Sequence, residues 1–135
     1  MVDIESIKSE LYKTLKLSNK QFVAECFEFM KKHHFSNEEL AILTDLRKLN
    51  RSILSINRYT YPILKVVSPY GGTTEEDSHV NGYRRYYDDK HKYKGKTYIF
   101  CKEWHHADTA LVNQTETRIP FLEWIIRTIN KNNLS

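Results

Sequence analysis

Basic side chains and tyrosines interleave between Gly82 and Trp104, in the segment GYRRYYDDKHKYKGKTYIFCKEW. The segment carries seven lysines and arginines against three carboxylates, so its local charge of +4 equals the formal net charge of the whole chain. Such a patch attracts phosphates through Coulomb energy and counterion release, and tyrosine rings can stack on bases or bond to backbone oxygens. These residue types therefore predict binding to a polyanion, and they indicate no reaction.

The predicted nucleic-acid contacts form two groups. In the segment, the predicted phosphate contacts are Arg84, Arg85, Lys92, Lys94 and Lys96, and the predicted stacking or hydrogen-bonding rings are Tyr86, Tyr87 and Tyr93. Upstream lies a second basic group, in which base choice is assigned to Asn50 or Arg51 and the remaining members are Arg47, Lys48 and Arg58. No metal and no cofactor is predicted.

The residues of this segment also have a purely structural interpretation. Tyrosines pack across the strands of a twisted two-stranded ribbon, and lysines discourage further pairing at its edge. Three coincident features favour nucleic acid over that interpretation: the local charge of +4, the five tyrosines of the segment, and the second basic group.

Patterns for catalysis or metal binding are sparse. Asp88-Asp89-Lys90, with the acidic run Glu75 to Asp77 upstream, is the one candidate for a metal-dependent nuclease, but no Glu-x-Lys strand pattern occurs. Cys101, Glu103 and the pair His105-His106 lie close in sequence, yet strand alternation directs them to different faces. The chain has neither a Gly-x-Ser-x-Gly elbow nor a phosphate-binding Gly-rich loop, so a non-enzymatic protein is favoured.

Length and composition predict one soluble domain. A chain of 135 residues, 40% hydrophobic and 28% charged, can form a single core, and its apolar runs are too short to cross a bilayer. The first residues show no basic leader followed by an apolar block, so we expect a cytoplasmic protein with no membrane partner. In that reducing location Cys26 and Cys101 should be free thiols. The oligomeric state is left open.

The N-terminal part, 1–58, reads as three or four helices. Apolar residues at steps of three and four predict a first helix over Ile4 to Leu15. Ser18 and Ser36 each stand three residues before Gln21 and Glu39, so each should cap a further helix, and the second helix should end near His34. These capping boxes place the helix starts.

Thr44-Asp45 leaves two alternatives for the stretch from Leu40 to Ile53. One unbroken amphipathic helix with a solvated basic face is the simpler interpretation and the one we favour. A fresh helix capped at Thr44-Asp45 would instead give a helix-turn-helix, whose second helix would carry the upstream basic group.

The rest of the single domain, 1–135, is predicted to be mixed. The part 59–104 contains a short strand at Ile63 to Val67, a mobile loop from Ser68 to Asn81, and a β-hairpin. The hairpin strands are predicted near Tyr83 to Asp88 and Thr97 to Trp104, with a turn around Tyr93-Lys94-Gly95-Lys96. A closing helix follows over 118–131. These elements predict an α+β, winged-helix-like fold with a basic hairpin beside a helical part.

The second half also resembles a group of known modules. Tyr83-Arg84-Arg85-Tyr86-Tyr87, then Tyr93 to Tyr98, then Cys101 and Trp104, then Phe121-Leu122-Glu123-Trp124 resemble the small accessory modules of restriction-type and phage-encoded DNA-acting proteins. Those modules more often have a proline where this chain has Lys90-His91. The resemblance implies a DNA-related, phage or mobile-element setting, and it carries over no catalytic residue.

Taken together, the sequence predicts a small non-enzymatic nucleic-acid-binding protein, with DNA favoured, that uses the basic tyrosine-rich hairpin as a wing. The alternative is a protein-interaction module, such as a phage-type inhibitor of a host nucleic-acid enzyme, because tyrosine and arginine also suit protein hot spots. A metal-dependent nuclease is the third hypothesis.

Overall fold

The computed structural model describes residues 3–53, 58–104 and 116–134, and the fold is α+β as predicted. The helices are α1 (Ile4–Tyr12), α2 (Asn19–Lys32), α3 (Asn37–Ile42), α4 (Leu46–Ser52), α5 (Glu75–Ser78) and α6 (Arg118–Leu134). The strands are β1 (Leu64–Val67), β2 (His79–Val80), β3 (Tyr83–Arg84), β4 (His91–Tyr93) and β5 (Lys96–Phe100). None of these helices is long and apolar enough to cross a membrane.

Side-chain caps start the helices where the sequence predicts them. The Ser18 hydroxyl accepts a hydrogen bond from the Gln21 N–H at 3.3 Å, and α2 ends at Lys32, close to the predicted end. Ser36 and Glu39 form the full capping box of α3, with bonds of 2.8 and 3.1 Å. The first helix is shorter than predicted, because α1 passes into a 3₁₀ turn over Lys13–Lys16.

The stretch from Leu40 to Ile53 is two helices, so the unbroken helix is wrong. One carboxylate oxygen of Asp45 accepts from the N–H groups of Arg47 and Lys48, at 3.0 and 3.2 Å, and thereby caps α4. The Thr44 hydroxyl donates to the Ala41 carbonyl at 2.8 Å, at the end of α3. These side chains satisfy main-chain groups that an uninterrupted helix would have used itself.

The main sheet is antiparallel with strand order β1-β5-β4. Lys94 and Gly95 connect β4 to β5 with φ of 48° and 81°, the left-handed pair that a two-residue hairpin turn requires. The predicted turn is therefore confirmed, but the predicted first strand is only partly right, because Tyr86 bridges to Cys101 while the strand next to the turn is a different one. β4 begins at His91, and Tyr83–Arg84 pairs instead with His79–Val80 in a separate two-stranded sheet.

A change of register explains that error. His91 lies opposite Tyr98, whereas Tyr86 forms an isolated bridge with Cys101, so the two pairings differ in register by two residues. The residues between Tyr87 and His91 interrupt the ladder. The alternation of polar and apolar residues along one strand cannot show such an interruption, because the interruption depends on how the strand pairs with its partner.

The segment 68–81 contains structure that the sequence analysis missed. Thr74 and Asp77 form the capping box of α5, and β2 follows directly. The Lys90 ammonium donates to the carbonyls of Ser68, Tyr70 and Gly71, at 2.6, 3.3 and 3.0 Å. The predicted mobility of this segment stays a prediction.

The core covers both faces of β5. Tyr98 and Phe100 pack into the large cluster formed with the helices, whereas Ile99 and Cys101 pack with Val67 and Tyr86 in a second cluster. From α6, the fully buried side chains of Phe121, Leu122 and Ile125 complete the large cluster. The closing helix is therefore confirmed, and it extends a few residues past its predicted end.

Candidate nucleic-acid interface

The exposed side of α4 gathers the upstream basic group. Leu49 and Ile53 are buried in the core, which turns the side chains of Arg47, Lys48 and Arg51 toward solvent. Arg58 is exposed as well. In the described part of the chain, none of these four cations has an ion-pair or hydrogen-bond partner for its side chain. We call Arg47, Lys48, Arg51 and Arg58 the α4 basic surface.

Little negative charge opposes this surface. Asp45 is the only acidic residue between Leu40 and Arg58, and its carboxylate caps the first turn of α4. The stretch from Asp45 to Arg58 thus has a net charge of +3. Across residues 3–53, 58–104 and 116–134, no carboxylate pairs with these cations, so a phosphate meeting the α4 basic surface would displace none of those carboxylates.

Asn50 has a structural role that the sequence analysis did not predict. Its amide N–H₂ donates to the carbonyls of Leu46 and Tyr59, both at 3.1 Å, and its oxygen accepts from the Tyr59 N–H at 2.8 Å. The side chain therefore braces α4 against the chain that leads to β1. A base contact by Asn50 would cost these hydrogen bonds, so Arg51 is the better placed of the two predicted readers.

Arg84 and Arg85 are neutralised by carboxylates. Arg84 donates to Asp88 at 2.6 Å, and Arg85 donates to Glu103 at 2.8 Å. The Arg85 guanidinium also lies over the rings of Tyr61 and Tyr83, 5.2 and 5.4 Å from the ring centroids. The hydrogen bond to Glu103 raises the pKa of Arg85 above its usual value. The predicted phosphate contacts by these two arginines would require these pairs to open.

The predicted stacking role of Tyr86 does not fit its position. The residue is 2% exposed, and its hydroxyl donates to the Pro62 carbonyl at 2.8 Å. Burial raises the pKa of its phenol well above the usual value. A ring held in this way presents no face to a base.

Tyr93 and Tyr87 are only half-buried. The Tyr93 hydroxyl donates to the Phe35 carbonyl at 2.9 Å, and its ring packs edge-on against Phe27. Tyr87 lines a cavity of about 390 Å³ between α2 and the chain before β4, together with Lys20, Gln21, Val23, Ala24, Asp89 and His91. Both rings therefore pack mainly against the protein.

The hairpin lysines divide into one engaged residue and two free ones. Lys94 donates to the Phe35 carbonyl at 3.0 Å and lies over the Tyr93 ring, so it ties the turn to the start of α3. Lys92 and Lys96 are exposed, and neither side chain has a partner among the residues that the structure describes. Of the predicted phosphate contacts in the hairpin, these two need no rearrangement.

The contacts place α3 between the hairpin turn and α4. Both Tyr93 and Lys94 bind the carbonyl of Phe35, just before the Ser36 cap of α3. Three residues, Leu43 to Asp45, join the end of α3 to α4. The hairpin turn and the α4 basic surface thus flank one short helix.

The described residues give no support to catalysis by a metal or a thiol. Across residues 3–53, 58–104 and 116–134, no group of three or more His, Cys, Asp or Glu side chains could hold a metal ion. Asp88, the nuclease candidate, is bound to Arg84. Burial raises the pKa of Cys101 to about 12 and raises that of Cys26 well above its usual value. The pair His105-His106 lies outside the described residues.

Two cations bind carbonyl groups of the protein itself, which the sequence did not predict. Lys90 belongs to the basic segment, yet its ammonium binds carbonyls of the chain after β1. Arg118 is 5% exposed, donates to the Leu15 and Leu17 carbonyls at 3.2 and 3.0 Å, and packs over the Phe22 ring. A cation in the first turn of a helix is unfavourable to the helix dipole, and that is the one signal for a structural role of Arg118.

Comparison of the chain with protein-family models, with curated proteins and with solved structures finds no match.

Proposed function

We propose that this protein binds nucleic acid, preferably DNA, through phosphate contacts and without catalysis. The observation that supports the proposal is the α4 basic surface, whose four cations are exposed and have no protein partner in the described part of the chain. Lys92 and Lys96 of the hairpin supply two further cations in the same state. Such cations can bind phosphates and release their counterions, and no contact within the protein has to break first.

In this proposal the protein acts in a winged-helix-like manner. The helix α4 makes the main contact, and the β4–β5 hairpin is the wing. Contacts to the DNA backbone outnumber contacts to bases in this proposal. The reason is that Asn50 is already bonded to Leu46 and Tyr59 and that the ring of Tyr86 is buried. Sequence preference is therefore weak, and Arg51 supplies what preference there is.

Fluorescence anisotropy with short duplex and single-stranded DNA probes across ionic strength tests the proposal. If all six cations contact duplex phosphates, the slope of log K against log salt is about −5. The triple variant Arg47→Ala, Lys48→Ala, Arg51→Ala should lower the magnitude of that slope by about 2.7 and weaken binding at low salt.

A matched triple variant controls for net charge. Lys8→Ala, Lys13→Ala, Lys16→Ala removes the same three charges from exposed positions in α1 and the 3₁₀ turn. It should leave the salt slope of the wild type unchanged, because those lysines make no phosphate contact in the proposal. Equal losses in both triple variants would show attraction by net charge alone, and absence of binding at low salt would overturn the proposal.

The nuclease hypothesis is tested in the same samples. Cleavage of the duplex probe that depends on added Mg²⁺ or Mn²⁺ and disappears in Asp88→Ala would replace binding with catalysis as the function. We expect no cleavage, because the Asp88 carboxylate is held by Arg84.

A further inference from the structure

Strand β1 has an open edge. It pairs only with β5 in the described part of the chain, and the Ile63 carbonyl accepts from the Cys101 N–H at 2.9 Å. Because hydrogen-bonded pairs alternate along an antiparallel ladder, Lys65 and Val67 also face β5, whereas Leu64 and Val66 direct their main-chain groups outward.

The outward groups of β1 are only partly used. The Leu64 N–H donates to the Leu43 carbonyl at 3.0 Å, which confirms the outward direction. The Leu64 carbonyl and both main-chain groups of Val66 have no partner among the described residues. The Val66 side chain is 49% exposed. This part of the edge is therefore free to pair with a further strand.

The opposite edge of the sheet is protected. By the same alternation, Lys92 on β4 directs its main-chain groups away from β5. Its side chain is exposed and charged, and a charged residue at an edge opposes pairing with another chain. On β1, the exposed residue whose main-chain groups point outward is the apolar Val66. The charge that opposes strand addition at the β4 edge is therefore missing at this position of β1.

A groove accompanies the free edge of β1. It holds a cavity of about 490 Å³ lined by Thr44, Pro62, Leu64, Lys65, Val66, Val80 and Tyr86. Side chains of an added strand alternate between the two faces of the sheet. An apolar side chain of that strand could therefore fill this cavity while its backbone pairs with Val66. We call this region the β1 groove.

The acidic helix α5 lies beside the β1 groove. The Lys65 ammonium donates to the carbonyls of Glu76 and Asp77, at 3.1 and 2.9 Å, and so holds α5 beside the groove. The three carboxylates Glu75, Glu76 and Asp77 against Lys65 give a local charge of −2 in a chain whose formal net charge is +4. The carboxylates of α5 repel nucleic acid and attract a cationic ligand.

We propose that the β1 groove binds an extended peptide segment of another protein, in which basic residues alternate with apolar ones. The peptide adds to β1 as a further strand, and pairing with Leu64 and Val66 provides the main-chain hydrogen bonds. Its apolar side chains enter the cavity, and its basic side chains meet the carboxylates of α5. A second copy of this chain fits less well, because a symmetric pairing would bring two acidic α5 helices together.

Two synthetic peptides test the preference for charge. One alternates lysine and valine and the other alternates glutamate and valine, each about seven residues long and labelled with a fluorophore. We expect the lysine peptide to bind at least about tenfold more tightly by anisotropy. A third probe, the lysine peptide with N-methylated main-chain nitrogens, should not bind, because it cannot donate to the edge of β1. Equal binding of the acidic or the N-methylated peptide would overturn the proposal.

Protein variants locate the site. Val66→Lys should weaken binding of the lysine peptide by about tenfold or more, because it places a charge on the open edge. Val66→Ile, which keeps an apolar branched side chain, and Lys92→Arg, which keeps the charge on the opposite edge, should bind the peptide as the wild type does. Glu75→Lys with Glu76→Lys should transfer the preference to the glutamate peptide. Unchanged binding by folded Val66→Lys would show that the peptide binds elsewhere.

The remaining outcomes also decide the question. Sedimentation that shows a dimer dissolved by Val66→Lys would assign the edge to a second copy and overturn the peptide proposal, as would a failure of every probe to bind. Duplex binding is measured in parallel, and Val66→Lys should not weaken it. Failure of the peptide proposal is thereby distinguishable from failure of the nucleic-acid proposal.

Discussion

Lys90 and Lys94 illustrate how hydrogen bonds within the protein withdraw single cations from a basic segment. Lys90 donates to three carbonyls and Lys94 donates to the Phe35 carbonyl, whereas Lys92 and Lys96 have no partner in the described part of the chain. Each bond that a phosphate contact breaks costs about 0.5–1.5 kcal/mol. Charge counted along the sequence therefore overstates the charge that is available to a ligand.

At Tyr86 the fold makes a clear prediction for stability. Tyr86→Phe removes the donor to the half-buried Pro62 carbonyl and should lower the free energy of unfolding by about 1 kcal/mol in a urea titration. Duplex affinity should not change. The control is Tyr83→Phe, at a residue that is 67% exposed, which should stay within about 0.5 kcal/mol of the wild type. Weaker duplex binding by a stable Tyr86→Phe would mean that the Tyr86 hydroxyl contacts the nucleic acid.

His91 is the residue that should make stability depend on pH near neutrality. Its half-buried ring packs on Phe27 and Phe100, with centroids 5.1 and 5.5 Å away. Burial lowers its pKa below the usual value, and Lys31 lowers it further. Asp89 and Glu28 oppose the shift without cancelling it.

The sign of the effect follows from proton binding. Between the ordinary histidine pKa of about 6.5 and the lower pKa of folded His91, the unfolded chain binds more protons, so stability falls as pH falls through this range. His91→Gln should flatten the pH dependence of the free energy of unfolding, whereas Lys92→Gln should not. Some slope should persist, because burial also lowers the pKa of His33. An unchanged slope in His91→Gln would show that His91 is not the cause.

For the helices and strands, the sequence predicts what short-range chemistry determines. The starts of α2 and α3 follow from Ser18, Ser36 and Glu39, because a cap involves only residues within one turn. The hairpin turn follows from Gly95 for the same reason. The pairing of Tyr83–Arg84 with His79–Val80 involves a different partner strand, and no local pattern encodes it.

In the candidate site too, the features set by neighbouring residues were predictable and those set by tertiary contacts were not. The exposure of Arg47, Lys48 and Arg51 was predictable, because the spacing of Leu46, Leu49 and Ile53 fixes the solvent side of α4. The capture of Asn50 by Tyr59 and the pairing of Arg85 with Glu103 were not, because each joins residues far apart in the chain. The open edge of β1 was likewise hidden until its partner strand was known.

The break between α3 and α4 can be tested through its cap. Asp45→Ala removes the acceptor for the N–H groups of Arg47 and Lys48, so it should lower the free energy of unfolding by about 1 kcal/mol. Asp45→Asn keeps a capping oxygen and should retain most of that stability while removing the same charge. A urea titration of the two variants separates the cap from the charge. Equal losses would mean that charge, and not hydrogen bonding, holds the start of α4.

Over the whole molecule, the net charge of +4 is the sum of unlike regions. The stretch from Asp45 to Arg58 has a charge of +3, whereas α5 with Lys65 has a charge of −2. In the hairpin region, Arg84 and Arg85 are matched by Asp88 and Glu103. This distribution is the electrostatic basis of the two proposals, a polyanion at α4 and a basic peptide at β1.

Two double variants with the same change in net charge test whether the hairpin acts as a wing. Lys92→Ala with Lys96→Ala removes two free cations, and it should lower the magnitude of the duplex salt slope by about 1.8. Arg84→Ala with Arg85→Ala removes two paired cations, so it should leave the slope close to that of the wild type. It should nevertheless lower the free energy of unfolding, because the half-buried Glu103 loses its partner. Anisotropy across ionic strength and urea titration measure the two quantities separately. A larger loss of slope in the Arg84 and Arg85 variant would mean that these ion pairs open to bind phosphate and that the folded arrangement of the hairpin changes on DNA.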